Sequence, residues 1–178
     1  MQSNPHAAAM AKFNNSSIAP SSTTHSTEAP MFQNREEFSN ARQHLHLLQT
    51  KVEQALTLLV LQFNLWNDDG DNESSTAEIV QLSLEFKALI EDHFQQVSGD
   101  GLLERAVTQH PSLSPVLRDV EKWQAAILND LSELIEEIKA NPISKQNIAQ
   151  YRNTMRRLQN EILAEEKQER HLMERGWA

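Results

Sequence analysis

Apolar residues recur at steps of three and four along most of the chain from Asn34 onward. This spacing is typical of one face of an α-helix, because a helical turn takes about 3.6 residues. The first segment predicts a helix of about 30 residues, which the polar run WNDDGDNESS ends. Its apolar positions are Phe38, Ala41, Leu45, Leu48, Val52, Leu56, Leu59 and Phe63.

A second helix is predicted to follow, with Ser75 and Glu78 as a capping box at its start. The glycine-containing run SGDG ends it, and a short amphipathic segment, LLERAVTQH, comes next. Most inward positions of the second helix are apolar, but one is a histidine. The inward positions are Ile79, Leu82, Phe86, Leu89, His93 and Val97.

Two further helices complete the pattern. Ser114 and Pro115 are predicted as the N-cap and first residue of the third helix, and Ser144 as the cap of the fourth. The inward positions of the third helix are Val116, Val120, Trp123, Ile127, Leu131, Leu134 and Ile138. The fourth helix runs to about Arg175, with Ile148, Tyr151, Met155, Ile162 and Met173 inward. Four helices with short links predict an all-α fold, an up-down-up-down four-helix bundle.

The first part of the chain lacks this periodicity. It is rich in Ser, Thr, Asn, Ala and Pro and has few large apolar side chains. Such a segment cannot offset its ordering entropy by burial. We therefore expect a disordered tail over residues 1–33 and the bundle over residues 34–177.

Composition narrows the function. The 178 residues carry a formal net charge of −9, which disfavours binding to nucleic acid and to anionic membranes. The absence of cysteine excludes disulfide scaffolds, thiolate catalysis and iron–sulfur clusters. With no apolar run of about 18 residues and no signal-peptide pattern, we expect a cytoplasmic protein. No known catalytic motif occurs, so the sequence does not predict an enzyme.

Several chemistry-bearing residues fall at one height of the predicted bundle. Counting along the helices places His44, His93, Trp123 and Glu165 within about 8 Å of one level. Bundle cores often bind metals where histidines and carboxylates from several helices converge. This level is therefore the place to look for a site.

The span from about residue 36 to residue 177 carries the motifs DHF, GDGLLERAV, HPSLSP and EEKQERHLMERGW. In this layout it resembles the hemerythrin-like, or HHE cation-binding, family. The resemblance implies a four-helix bundle with a non-haem diiron centre for oxygen binding, oxygen sensing or iron handling. It also implies ligands on all four helices: a histidine on helix 1, His then Glu one turn later on helix 2, a histidine on helix 3, and a His-Glu-x-x-Glu-like run on helix 4.

This chain departs from the family's ligand pattern. By resemblance His44 and His93 stand at the ligand positions of helices 1 and 2, but Val97 replaces the glutamate that follows on helix 2. Lys122 or Trp123 stands where helix 3 should offer a histidine. On helix 4 the histidine is replaced by a glutamate, so the run reads Glu165, Glu166 and Glu169. The five-histidine diiron set cannot be built, which predicts a degenerate domain whose family role is reduced or lost.

Two interpretations remain open. In the first, His44, His93, Glu165 and Glu169 form a reduced site for one iron, manganese or zinc ion, since two histidines and two carboxylates are adequate ligands. In the second, no metal binds. The glutamates are then solvated or neutralised by Lys122, and His93 bonds a neighbour while Trp123 fills the space of the lost site.

In the metal-free case, the bundle serves as an interaction module that binds a protein partner or self-associates. This interpretation predicts an apolar strip exposed on the bundle surface.

Overall fold

The computed structural model describes residues 29–66, 72–99 and 101–177. All regular structure in these residues is helical, so the predicted all-α class is confirmed. The elements are α1 (Ala29–Leu65), α2 (Asn72–Phe94) with a π-helical extension (Gln95–Gly99), α3 (Leu102–Gln109), a 3₁₀ turn (Pro111–Leu113), α4 (Ser114–Ala140) and α5 (Ile148–Gly176). The four predicted helices are α1, α2, α4 and α5, and the short amphipathic segment is α3.

The four long helices form a helical bundle. Helix α1 packs against α2 and α5, and α4 packs against the same two helices. The short α3 packs against α5 and α4 near one end. The predicted inward stripes are buried along most of their length because each long helix meets two long neighbours.

The helix starts differ from the predictions. Helix α2 begins at Asn72, so Ser75 lies inside its first turn and is not the N-cap. Ser114 is the first residue of α4, and its hydroxyl donates to the Pro111 carbonyl oxygen at 2.8 Å. Helix α5 begins at Ile148, and the backbone N–H of Ser144 donates to the side chain of Asn147.

The predicted tail falls mostly outside the described residues. Helix α1 begins at Ala29, five residues before the predicted start of the bundle at Asn34. Residues 1–28 of the predicted tail are not among those that the structure describes.

Two contacts join α5 to neighbouring helices near its two ends. The Arg152 guanidinium donates to the carbonyl oxygens of Phe63, Asn64 and Trp66 at 2.8, 3.1 and 2.9 Å. The last carbonyls of a helix have no partner within the helix, so Arg152 closes the end of α1. Near the other end of α5, Gly176 lies against Ala106 of α3 so closely that a Cβ atom on residue 176 would meet the Ala106 Cβ at 2.3 Å.

One face of α1 remains apolar and exposed. Leu47, Leu58, Leu61 and Leu65 project from it, each with roughly half or more of its surface accessible. Within the described ranges, no helix is both long enough and apolar enough to cross a membrane.

Candidate metal centre

A layer of buried polar side chains divides the apolar core into two parts. One cluster runs from Val52, Phe94, Ile127 and Ile162 toward one end of the bundle. The other includes Leu48, Val97, Val120 and Leu172 toward the other end. On each of the four long helices, the change from one cluster to the other coincides with a buried polar residue. These residues are Gln49 on α1, His93 on α2, Gln124 on α4, and Glu165 and Glu169 on α5.

Three of these side chains bear metal-ligating groups. His93 is 1 % exposed, and Glu165 and Glu169 are fully buried. One ligand atom from each lies within 4.8 Å of the other two. A cation with bonds of about 2.0–2.2 Å spans ligand atoms up to about 4.4 Å apart, so small side-chain movements suffice to close the three around one ion.

Glu169 lies at the centre of the hydrogen-bond network. Its Oε2 atom lies 3.2 Å from His93 Nε2 and accepts a bond of 3.0 Å from the Gln49 amide. The Gln124 amide donates to Glu169 Oε1 at 3.2 Å and to Glu165 Oε1 at 2.8 Å. Side chains from all four long helices thus converge on two carboxyl groups.

The two amides are oriented by outer partners. The Ser98 hydroxyl, in the π-helical extension of α2, donates to Gln124 Oε1 at 3.0 Å. Arg170 donates to Gln49 Oε1 at 2.9 Å. Because both amide oxygens accept these bonds, both NH₂ groups point toward the carboxyl groups. Such outer contacts fix the orientation of the side chains around a metal site.

Two buried atoms of the layer lack hydrogen-bond partners in the described part of the chain. Glu165 Oε2 and His93 Nδ1 have no hydrogen-bond partner among the described residues. Burial, and then the neighbouring Glu169 carboxylate, raise the pKa of Glu165 to about 10. A buried carboxylate needs a cation or a proton to offset its lost hydration. A proton shared by this pair of carboxyl groups is therefore favoured when no cation is bound.

Glu166 is a further buried carboxyl group beside the layer. Both of its carboxyl oxygens lack hydrogen-bond partners among the described residues. Burial, followed by the carboxylates of Glu53 and Glu169, raises the pKa of Glu166 to about 8, against a smaller opposing effect of Arg170. The surroundings of this part of α5 therefore disfavour negative charge.

The structure brings together three of the four residues singled out from the sequence. His93, Glu165 and Glu169 meet, but His44 is exposed and lies outside the group. His44 precedes Gln49 by five residues, which rotates it about 140° away around α1. Gln49 takes the inward place on α1 instead.

The candidates on the third predicted helix, α4, also lie outside the polar layer. Lys122 is exposed and lies 3.5 Å from Asp119, so it does not neutralise the glutamates. Trp123 is half-buried against the larger apolar cluster. The residue of α4 that reaches the polar layer is Gln124, one position further along.

Gln49 and Gln124 were not recognised from the sequence, although a signal exists. Gln49 lies four residues after Leu45 and three before Val52. Gln124 has the same relation to Val120 and Ile127. An amide at core spacing indicates a buried polar partner, because a buried amide without hydrogen bonds is costly.

The chain matches no protein-family model, no curated protein and no solved structure.

The ligand set suits one cation and does not suit two. A diiron centre needs more ligands than one histidine and two carboxylates, and the inward residues of α1 and α4 at this level are glutamines that donate hydrogen bonds. One ion of a borderline metal accepts an imidazole and two carboxylates and leaves positions open for water. The residues therefore fit a mononuclear site.

Proposed function

We propose that this protein is a helical bundle that binds one divalent cation through His93, Glu165 and Glu169. The observation that carries the proposal is the convergence of three buried ligand groups, one of which keeps a carboxyl oxygen without a hydrogen-bond partner among the described residues. Iron, manganese and zinc are the candidate ions, because imidazole and carboxylate ligands suit all three.

A bound cation would offset the repulsion between two buried carboxylates in the layer. Two carboxyl groups lie side by side without solvent, and in the metal-free form one of them binds a proton. A divalent ion would displace that proton and stabilise both carboxylates. Metal uptake should therefore release a proton and become tighter as the pH rises.

We further propose that the chain is a degenerate hemerythrin-like domain with an up-down-up-down arrangement of its long helices. The sequence motifs support this family, as does the position of His93 and Glu165 at one level of the bundle. By resemblance the family role is iron or oxygen binding, reduced here to one cation. We propose no catalytic reaction.

The alternative is a metal-free interaction module. The exposed leucines of α1 and the exposed Lys122 agree with it. It also predicts solvated glutamates, whereas Glu165, Glu166 and Glu169 are fully buried. Their burial favours the cation-binding proposal.

The proposal is tested by loading the full chain with Mn²⁺, Fe²⁺ or Zn²⁺ and measuring bound metal by elemental analysis and affinity by calorimetry. We expect about one ion per chain, and we expect Glu169→Gln to weaken binding by about 100-fold or more because it removes a direct ligand. Glu174→Gln, an exposed carboxylate on the same helix, is the matched control and should leave affinity within about twofold. Less than about 0.1 ion per chain for all three metals would overturn the proposal.

A further inference from the structure

A pocket of about 480 Å³ lies in the groove between the first half of α1 and the last turns of α5. This volume is within the range of small-molecule sites, about 300–1,000 Å³. The pocket opens to the surface and reaches Gln49 of the polar layer, but none of the three proposed metal ligands lines it. Its main lining residues are Phe38, Arg42, Leu45, His46, Arg170 and Met173.

The charge of the pocket is opposite to that of the protein. Two arginines, Arg42 and Arg170, line it against one carboxylate, Glu174, although the whole chain carries a net charge of −9. Arg42 forms no ion pair with any residue that the structure describes, so its guanidinium is available. Among the described residues Arg170 makes one hydrogen bond, to Gln49 Oε1, and its charge also lowers the pKa of the nearby Glu166 carboxyl. Guanidinium groups bind carboxylates with paired hydrogen bonds.

The other lining residues are apolar. Phe38 is half-buried in the groove, and Leu45 and Met173 form buried walls. Phe38 also stacks on Trp177, with ring centroids 5.9 Å apart, which fixes one side of the pocket. The surface therefore combines a cationic rim with an apolar wall and suits a ligand that has one charged end and a short hydrocarbon part.

We propose that this pocket binds a small amphipathic carboxylic acid, with its carboxylate on Arg42 and Arg170 and its hydrocarbon part against Phe38, Leu45 and Met173. Binding requires no metal, so the inference stands apart from the proposed cation site. The two sites are nevertheless joined by hydrogen bonds, because Arg170 donates to Gln49 and Gln49 donates to Glu169.

The test uses octanoate as the probe, with the metal-free full chain in a calorimeter. We expect a dissociation constant of about 1 mM or tighter. Octan-1-ol, which lacks the charge, and acetate, which lacks the hydrocarbon part, should each bind at least about tenfold more weakly. Tryptophan fluorescence provides a second readout because Trp177, one of three tryptophans, stacks on Phe38, which lines the pocket.

Variants locate the site. Arg42→Gln should weaken octanoate binding by about tenfold, since a charged hydrogen-bond partner is lost. Arg118→Gln, an exposed arginine of α4 outside the pocket, is the matched control and should leave affinity unchanged. Circular dichroism checks that each variant folds. The proposal is overturned if octanoate does not bind, if octan-1-ol binds equally well, or if Arg42→Gln and Arg118→Gln have the same affinity.

Discussion

The side chain of Glu165 is fully buried, and within the described part of the chain one of its two oxygens is hydrogen-bonded. Its acid form is neutral and isosteric with glutamine, so the metal-free core accepts it at little electrostatic cost. Its charged form is tolerated only beside a cation. In the proposed cation site, this single residue would therefore couple proton binding, metal binding and stability.

The pH dependence of stability tests this coupling. The pKa of Glu165 is about 10 in the folded chain against 4.5 for an ordinary glutamate, so between these values the folded state binds a proton that the unfolded state has lost. Its stabilising contribution is complete below pH 4.5 and is lost as the pH rises toward 10. We expect the free energy of unfolding of the metal-free protein, measured in urea with chelator present, to fall between pH 5 and pH 8.

Glu165→Gln isolates this effect because glutamine does not titrate. The variant should lose much of the slope with pH, although Glu166, whose pKa is about 8, keeps part of it. An identical slope in the variant and the parent protein would show that Glu165 is ionised in the folded chain.

Residue-level prediction from the sequence succeeded where helical periodicity alone decides which side faces inward. His93, Glu165 and Glu169 continue apolar stripes, so their meeting could be foreseen. Counting along the helix gives His44 the right height, and the resemblance gives it a ligand position, but the periodicity places Gln49 inward at that level. On α4 the predicted register was off by one residue. This error selects Trp123 in place of Gln124, because adjacent residues of a helix point about 100° apart.

At the scale of helices, the contribution of the contact between α5 and the end of α1 to the free energy of unfolding can be measured. Arg152→Ala removes three hydrogen bonds to the carbonyl oxygens at the end of α1. We expect a loss of about 2–3 kcal/mol in the free energy of unfolding, since bonds from a charged donor are among the stronger ones. Arg156→Ala, an exposed arginine one turn further along, should cost less than about 0.5 kcal/mol. Equal effects of the two substitutions would contradict this role of Arg152.

The contact between α3 and α5 requires a glycine. Gly176→Ala places a Cβ atom 2.3 Å from the Ala106 Cβ and 2.8 Å from its Cα, so the helices must separate. We expect thermal denaturation to show a loss of about 1–3 kcal/mol, although alanine is the better helix former. Adding Ala106→Gly should restore part of the stability because it removes the closest contact. If the double variant is no more stable than Gly176→Ala alone, the close approach is not the cause.

The helices themselves could be predicted from periodicity, but their starts could not. Ser75, Ser114 and Ser144 all resemble N-caps in the sequence. Yet α2 begins before Ser75, and Ser114 bonds the preceding turn. Capping contributes only about 1 kcal/mol, so the packing of long apolar faces decides where each helix begins.

At the scale of the whole molecule, the polar layer interrupts the core at a cost in stability. A cation that binds only the folded state recovers part of it. At a free metal concentration about 100 times the dissociation constant, linkage predicts about 2.7 kcal/mol of added stability. Differential scanning calorimetry should show the midpoint rising with metal in the parent protein and in Glu174→Gln, but not in Glu169→Gln. A rise of equal size in Glu169→Gln would place the metal elsewhere.

The most direct test of the cation site is a crystal structure of the protein grown with Zn²⁺, with anomalous data recorded at the zinc edge. The account predicts one anomalous peak in the polar layer, about 2.0–2.2 Å from a His93 nitrogen and from carboxylate oxygens of Glu165 and Glu169. The absence of a peak in the layer, or peaks only at exposed histidines such as His46 and His171, would contradict it.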